Sequence, residues 1–372
     1  MKIATVIPKY GLFGGAEGFA YELTERLARR EDFKIDVFAN KWRRGKSPVV
    51  FHKIPIIPFP RFIRPISFAY FTNKRIRSKD FDLVHGHDRI FRMDLFTMHG
   101  IPHRTWIKEA RHKPLSLFDR STAWVEEKGI KGSHIPMILA VSTLVKDELL
   151  KVYDIPESKI RVIHPGVSID RFSTLNRESC RYEIRQRHGL LENDVVVLFV
   201  GMNFEIKRLD LVVKGVAALV AKGNRNSNLK VLVVGKGGKE QYLTLARDLT
   251  IADRVIFVGV TREIEKYYLA SDIFAMPSRF DTFGLAVLEA MTAGLPVIIT
   301  RKVGARDLID PGIQGFVLPE EPSPLDLSEK LAFLMEEENR IKMGKSAQEV
   351  ALHYTWDEIA DQVAGLYHQL TS

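Results

Sequence analysis

Twelve short apolar runs, most of them followed by residues of helical period, narrow the folds open to this chain more than any other feature. In the first half they read Lys2–Ile7, Ile35–Ala39, Val49–Ile54, Leu83–His85, Leu95–Met98, Ile138–Val141 and Val162–His164. A second series reads "DVVVLFVG" at 194–201, "LKVLVVG" at 229–235, "VIFVGV" at 255–260, "IFAMPS" at 273–278 and "PVIIT" at 296–300. Helical periods fill the gaps, as from Leu209 to Val220 and from Pro324 to Met335. Strands alternating with helices build parallel sheets, so the expected class is α/β. The two series are interrupted near "HPGVSIDRF", 164–172, where Pro165 and Gly166 break the pattern. A chain of 372 residues has room for two domains of ordinary size. A last helix, "WDEIADQVAGLYHQL", follows a complete second series.

In such sheets ligands sit beyond the carboxyl ends of the strands, and two facing domains place them in the cleft between. The first strand runs into "PKYGLFGGAEGF", a glycine-rich turn that opens a helix. Its spacing is G-x-x-G-G-x-x-G rather than the dinucleotide fingerprint G-x-G-x-x-G. The turn can bring backbone N–H groups to a nucleotide or a sugar, or it can be a tight connection with no ligand.

The single cysteine, Cys180, excludes an internal disulfide and fits a reducing compartment. The opening apolar run is a first strand, too short for a signal sequence, and no run approaches bilayer length. The expectation is a soluble, cytoplasmic protein, peripheral to the inner face of a membrane. The net charge of +9 is uneven, with +12 in residues 1–166 and −3 in the remainder. Residues 41–79 hold 11 basic residues and no acidic one, interleaved with Trp42, Phe51, Phe59, Phe62, Phe68, Tyr70 and Phe71. A solvated face, a nucleic-acid surface and a membrane interface all compete for this stretch. No nucleic-acid motif accompanies it, and cations beside aromatic rings suit an anionic membrane surface, with Arg43, Arg44, Arg75 and Arg77 as contacts. Pro55, Pro58, Pro60 and Pro65 argue for a loop or short helices there rather than a long helix.

The stretch richest in chemistry is "MPSRFDTFGLAVLEAMTAGLPVIIT", 276–300. A strand ends, a loop carries Asp281, and a helix begins near Phe283–Gly284 and runs through Glu289 to a stop at Gly294 and Pro296. The amides of Phe283, Gly284 and Leu285 would leave the helix N-terminus, where a diphosphate is stabilised. Of the two acids, one can reach hydroxyls beyond the phosphates and the other a ribose behind them.

These residues resemble the acidic motif of the family-4 retaining glycosyltransferases, whose fold is GT-B: two Rossmann-like domains facing across a cleft. The resemblance covers nearly the whole chain, through "YGLFGGAEGFAYEL", "FDLVHGHD", "FTMHG", "AVSTLVKDELLKVY", "IRVIHPGVSIDRF" and "VLFVGMNFEIKRLDLVVKGV". It implies an acceptor-side domain of residues 1–166 completed by the terminal helix at 355–372, and a nucleotide-sugar domain of residues 167–354. It also implies roles. Glu289 would bind the ribose. Asp281 with the Phe283, Gly284 and Leu285 amides would hold the transferred sugar, and Lys207 would neutralise the diphosphate. Ile264 would sit by the base and His99 by the reacting sugar, with Gly14 and Gly15 approaching the phosphates. Within the family, "KYGLFGGAEGF" and the basic "HRTWIKEARHKPLSLFDR", 103–120, look most like lipopolysaccharide-core glucosyltransferases, which act on phosphorylated, lipid-linked acceptors. Two departures stand out. The first carboxylate is Asp281 where the family usually has Glu, and Ile206 stands where an arginine is common, leaving Arg208 to replace it or to face solvent.

No metal or other cofactor is expected. The "DFD" of 80–82 has the letters of a Mg²⁺ site but leads into the apolar "LVH", and His85 and His87 have no cysteine nearby. The expected activity is retaining transfer of a hexose from a nucleoside-diphosphate sugar, UDP-glucose or a related UDP-sugar, to a lipid-linked or lipopolysaccharide-core glycan. A sugar-nucleotide epimerase of similar fold, a phosphorylase and a non-catalytic sugar-nucleotide-binding protein are the competing readings.

Overall fold

Fifteen strands form three parallel arrays in a computed structural model that describes residues 1–12, 14–77, 79–132, 134–222 and 228–371. In chain order they are β1 (Lys2–Val6), β2 (Lys9–Tyr10), β3 (Lys34–Ala39), β4 (Lys41–Trp42), β5 (Val50–Lys53), β6 (Leu83–Gly86), β7 (Leu95–Met98), β8 (Met137–Ala140) and β9 (Ile160–Val162). The second half adds β10 (Val195–Gly201), β11 (Leu229–Gly235), β12 (Val255–Gly259), β13 (Ile273–Met276), β14 (Val297–Thr300) and β15 (Gly315–Leu318). The chain divides into unit 1, Met1–Gly166 with Trp356–Ser372, and unit 2, Val167–Thr355.

Unit 1 holds a seven-stranded sheet in the order β5-β3-β1-β6-β7-β8-β9 and the short β2-β4 ladder. The central strand β1 pairs with β3 on one side and β6 on the other, so the strand order reverses there. Such a reversal opens a crevice at the strand ends. The glycine turn after β1 leads into α1 (Gly15–Leu27), which buries Phe19, Leu23 and Leu27 at helical spacing. The helix Trp356–Thr371 packs on α1 and the sheet, burying Trp356, Ile359, Val363, Leu366 and Tyr367. Apolar burial of that size contributes several kcal/mol, of order 1.5–3 for each large side chain. Ion pairs from Arg26 to Asp357, at 2.7 Å, and from Arg30 to Asp361 set its register on α1.

Unit 2 holds a six-stranded sheet in the order β12-β11-β10-β13-β14-β15, with its reversal at β10. Its strands are nearly all apolar because helices cover both faces. β15 lay outside the sequence expectations. It is a four-residue edge strand that starts on Gly315, where a Cβ would lie 2.1 Å from Val297 O. The two-residue strands β2 and β4 are too short to show a period.

The basic stretch 41–79 corrects one expectation. Prolines stop at position 65, and α2 (Ile63–Arg77) then runs 15 residues, with Pro65 accommodated in its first turn where no amide donor is needed. Among the described residues, no helix is long and apolar enough to cross a membrane.

Candidate active site

In unit 2 the site grows from the carboxyl ends of β10 and β13, the two strands flanking the reversal. β10 and β11 end on opposed glycines, Gly201 and Gly235. Gly235 has φ +129, and a Cβ on it would lie 1.8 Å from Gly201 O, so the backbones close here only without a side chain. A Cβ on Gly201 would lie 3.0 Å from Cγ of Lys207. That space is taken by the lysine stem, which crosses back over the strand end.

Lys207 Nζ forms an ion pair with Asp281, both side chains being about one-fifth exposed. The loops that carry them are tied together. Arg279 N donates to Ile206 O at 2.8 Å, and Ser278 Oγ donates to Ile206 O at 3.1 Å and Phe280 O at 2.9 Å. Asp281 is fixed in turn by its own amide, which donates to Lys302 O at 2.8 Å. Gly284, at φ +89, caps the helix Leu285–Thr292 in a left-handed conformation, with Met276, Val303 and Val287 packed around it. In the first turn Val287 N donates to Gly284 O at 2.8 Å, and Phe283 N in the preceding loop donates to Asp281 Oδ1 at 3.4 Å, so the partial positive charge of the helix N-terminus lies next to the Lys207–Asp281 pair.

Glu289 lies one turn into that helix. Tyr268 Oη donates to it at 2.9 Å, and Arg171 Nη1 reaches it at 3.4 Å while also pairing with Glu265. Burial pushes the Glu289 carboxyl above its ordinary range, against the opposing pull of Arg171 and Tyr268. Both carboxylate oxygens thus have a partner within unit 2, Oε1 in Arg171 and Oε2 in Tyr268. Ile264, half-buried, opens the helix Ile264–Ala270 that carries Tyr268. Arg208 occupies the left-handed N-cap of the helix Leu209–Ala221, at φ +60. It pairs with Asp210 at 3.1 Å and Glu321 at 3.4 Å. Its guanidinium is therefore engaged within unit 2 rather than free in solvent.

Unit 1 places the second group of residues at the ends of β1, β6 and β7. Gly14, at φ +144, precedes α1, and a Cβ there would strike Glu17 Oε2 at 2.0 Å. Gly15 is the first residue of α1. His99 follows β7 and packs edge-on to Phe19 at 4.9 Å, with Nε2 3.2 Å from His87 Nδ1. Burial, then the positive charge of Arg89, lowers His99 to about 3, so the ring is neutral at physiological pH. Burial together with its histidine neighbours holds His87 well below its usual value, and its Nε2 has no partner among the described residues. A cavity of about 280 Å³ opens on His87 and His99, lined also by Lys9, Glu17, Asp88 and Arg89. Burial raises the Glu17 carboxyl.

His85 is structural. It bonds Tyr367 Oη at 2.7 Å and Thr97 Oγ1 at 2.6 Å, locking the terminal helix to the sheet. Asp82 is a strand-entry residue, its carboxylate accepting from the Lys2 amide at 2.6 Å. Arg43, Arg44, Arg75 and Arg77 of the basic stretch are exposed. Arg43 stacks over Tyr21 at 4.8 Å and Arg44 over Phe51 at 5.8 Å, while Arg75 and Arg77 sit at the end of α2. Sequence patterns do not reveal Tyr268, Arg171, Gly201, Gly235, Glu17 or the contact of His87 with His99. Only the paired strand-end glycines left a local signal, the "VG" closing two apolar runs.

Comparison with known proteins places the two units in a family. Residues 13–171 match the profile of Glycosyltransferase Family 4, and residues 181–350 match that of Glycosyl transferases group 1. The structure superposes on WaaG, described as a glycosyltransferase involved in lipopolysaccharide biosynthesis, with TM-score 0.82 and 21% identity over 98% of this chain and 99% of that one. It superposes on Anabaena HepE, solved in complex with UDP and glucose, with TM-score 0.74 and 18% identity over 99% and 100% of the two chains. In sequence it is 26% identical to the D-inositol 3-phosphate glycosyltransferase of Corynebacterium jeikeium, over 98% of this chain and 93% of that protein. The Corynebacterium glutamicum enzyme of the same description is 31% identical over 62% and 57% of the two chains. The fold is GT-B. The chain belongs to the glycosyltransferases that join a family 4 domain to a group 1 domain, and its activity is the transfer of a sugar.

Proposed function

We propose that this enzyme transfers a hexose from a UDP-sugar, UDP-glucose or a close relative, to a lipid-linked or lipopolysaccharide-core glycan, with retention and without a metal ion. The observation that carries the donor half is the ion pair of Lys207 with Asp281 beside the capped helix that presents Glu289. When the glycosidic bond breaks, negative charge grows on the leaving diphosphate. Lys207 and the helix N-terminus supply the compensating charge that other transferases draw from Mg²⁺. Glu289, oriented by Tyr268 and Arg171, takes the ribose hydroxyls. Asp281 and the Phe283, Gly284 and Leu285 amides hold the transferred sugar, Ile264 lies by the base, and Gly14 and Gly15 serve the phosphates. The acceptor hydroxyl attacks the face the leaving group departs from, assisted by a donor phosphate oxygen. His99, half-buried and neutral, serves the sugar.

Support for a UDP-sugar comes from HepE, solved with UDP-glucose, and support for an envelope glycan comes from WaaG. The exposed arginines Arg43, Arg44, Arg75 and Arg77 would dock the enzyme at the inner face of the cytoplasmic membrane. A second reading, a soluble phosphorylated polyol as acceptor, is favoured by the inositol-phosphate enzymes among its relatives. A mass-spectrometric screen of UDP- and GDP-sugars against truncated lipopolysaccharide and inositol phosphates, with and without EDTA, tests donor, acceptor and metal together. A product only with a free sugar acceptor, or only with added Mg²⁺, would overturn the reading.

A further inference from the structure

A second cavity in unit 1, about 630 Å³, adjoins the His99 pocket and shares Pro8, Lys9, Asp88 and Arg89 with it. Five cations line it, Lys9, Lys41, Arg61, Arg64 and Arg89, against the single carboxylate of Asp88. Arg89 is neutralised locally by Glu126 at 2.7 Å and Asp88 at 3.4 Å. Among the described residues, no carboxylate lies within ion-pair distance of the other four.

The four are held in place by different elements. Lys9 and Lys41 are directly opposed in the β2-β4 ladder. Like charges facing each other across a ladder destabilise it, a cost relieved when an anion sits between them. Arg61 stacks over Phe118 at 5.5 Å. Arg64 is anchored by Nε, which donates to Pro58 O at 2.8 Å and leaves the rest of the fork available. Two preset forks beside two point charges suit a dianionic, tetrahedral group better than a single carboxylate.

We propose that this cavity is a phosphoryl-binding subsite that holds a phosphate group of the acceptor while its hydroxyl reaches the His99 pocket. The inference rests on the transfer reaction proposed above. The phosphate can belong to a phosphorylated glycan or polyol, or to a lipid headgroup, and the experiment separates the two.

Inorganic phosphate is titrated calorimetrically into the full chain with saturating UDP, so that the unit 2 phosphate position is filled. Wild type is compared with Lys41→Ser/Arg61→Ser, with Arg64→Ser, and with Lys74→Ser, which removes an exposed cation of α2 that does not line the cavity. Phosphate affinity should fall at least tenfold in the double variant, with UDP affinity unchanged, while Lys74→Ser stays within twofold of wild type. Arg61 is exposed, so the double variant should fold, and melting curves verify this. Equal phosphate affinity in the double variant and wild type, or an equal fall in Lys74→Ser, overturns the subsite. Loss of UDP binding in wild type would instead sink the donor reading. Co-sedimentation with phosphatidylglycerol vesicles then names the source. A lipid headgroup predicts that the double variant loses vesicle binding with phosphate binding, and a glycan or polyol phosphate predicts that only phosphate binding falls.

Discussion

Nδ1 of His87 lies 3.2 Å from Nε2 of His99, and burial holds both rings in their neutral form. One ring must donate its N–H and the other accept, which couples the tautomer of His99 to that of His87. With His85 also lowered to about 3 by burial, three histidines of unit 1 stay neutral in the folded state. Their unfolded counterparts protonate near pH 6.5, so stability is complete above that value and is lost as pH falls from about 6.5 toward 3. The slope is about 1.4 kcal/mol per pH unit for each histidine. Thermal melts at pH 7, 6 and 5 should show a falling midpoint, with a shallower fall in His99→Ala. A midpoint constant across that range would contradict neutral burial. The same variant should lose turnover while keeping UDP affinity.

Tyr268 Oη donates to the Glu289 carboxylate at 2.9 Å. Glu289→Ala should weaken UDP binding by roughly 1.5–3 kcal/mol, the worth of hydrogen bonds to a charged group. Tyr268→Phe should cost about 1 kcal/mol by releasing the carboxylate. Calorimetry with UDP distinguishes the two. Wild-type affinity in Glu289→Ala would remove the ribose assignment.

Lys207→Ala should reduce kcat/KM by about 100- to 1,000-fold, the scale of removing one preorganised stabiliser of developing charge. Turnover by wild type should survive EDTA. Complete loss on chelation, restored by Mg²⁺, would transfer the diphosphate to a metal.

Gly235→Ala should destabilise unit 2 by about 3 kcal/mol or more, since φ is +129 and the new Cβ would lie 1.8 Å from Gly201 O. Gly238→Ala, at φ −70 and with its nearest contact at 3.6 Å, should stay within about 0.5 kcal/mol of wild type. Denaturant titration of both variants checks the contrast. Equal stabilities would mean that the strand ends open without cost.

Replacing Arg43, Arg44, Arg75 and Arg77 with Ser should weaken binding to acidic vesicles and leave UDP affinity intact. Exposed charges are screened within about 8–10 Å at physiological ionic strength, so binding should also fall as salt rises. Co-sedimentation with acidic and neutral vesicles is the measurement. Equal binding to both would leave the stretch a solvated face.

The sequence by itself determined the α/β class, because parallel strands buried on both faces read as unbroken apolar runs such as "VVVLFV" and "LKVLVV". It also determined the strand-loop-helix unit that carries Asp281, Gly284 and Glu289, because its spacing is local. Caps and stops are local as well: the helix expected from Pro324 to Met335 has those bounds, with Ser323 as its cap.

Tertiary structure alone decided what each of these residues meets. Lys207 reaches Asp281 across 74 positions of sequence, and Glu289 meets Tyr268 and Arg171 from 21 and 118 positions away. The glycine pair Gly201 and Gly235 becomes a constraint only when β10 and β11 are in register. Lys9 and Lys41 read as two ordinary surface charges until a two-residue ladder sets them opposite each other. His85 reads as a strand histidine until Tyr367 arrives from the terminal helix, 282 positions away. Periodicity records which face of an element is buried, and it carries nothing about which element covers that face. Partners separated by tens to hundreds of residues are chosen by sheet order and packing, which no local pattern encodes.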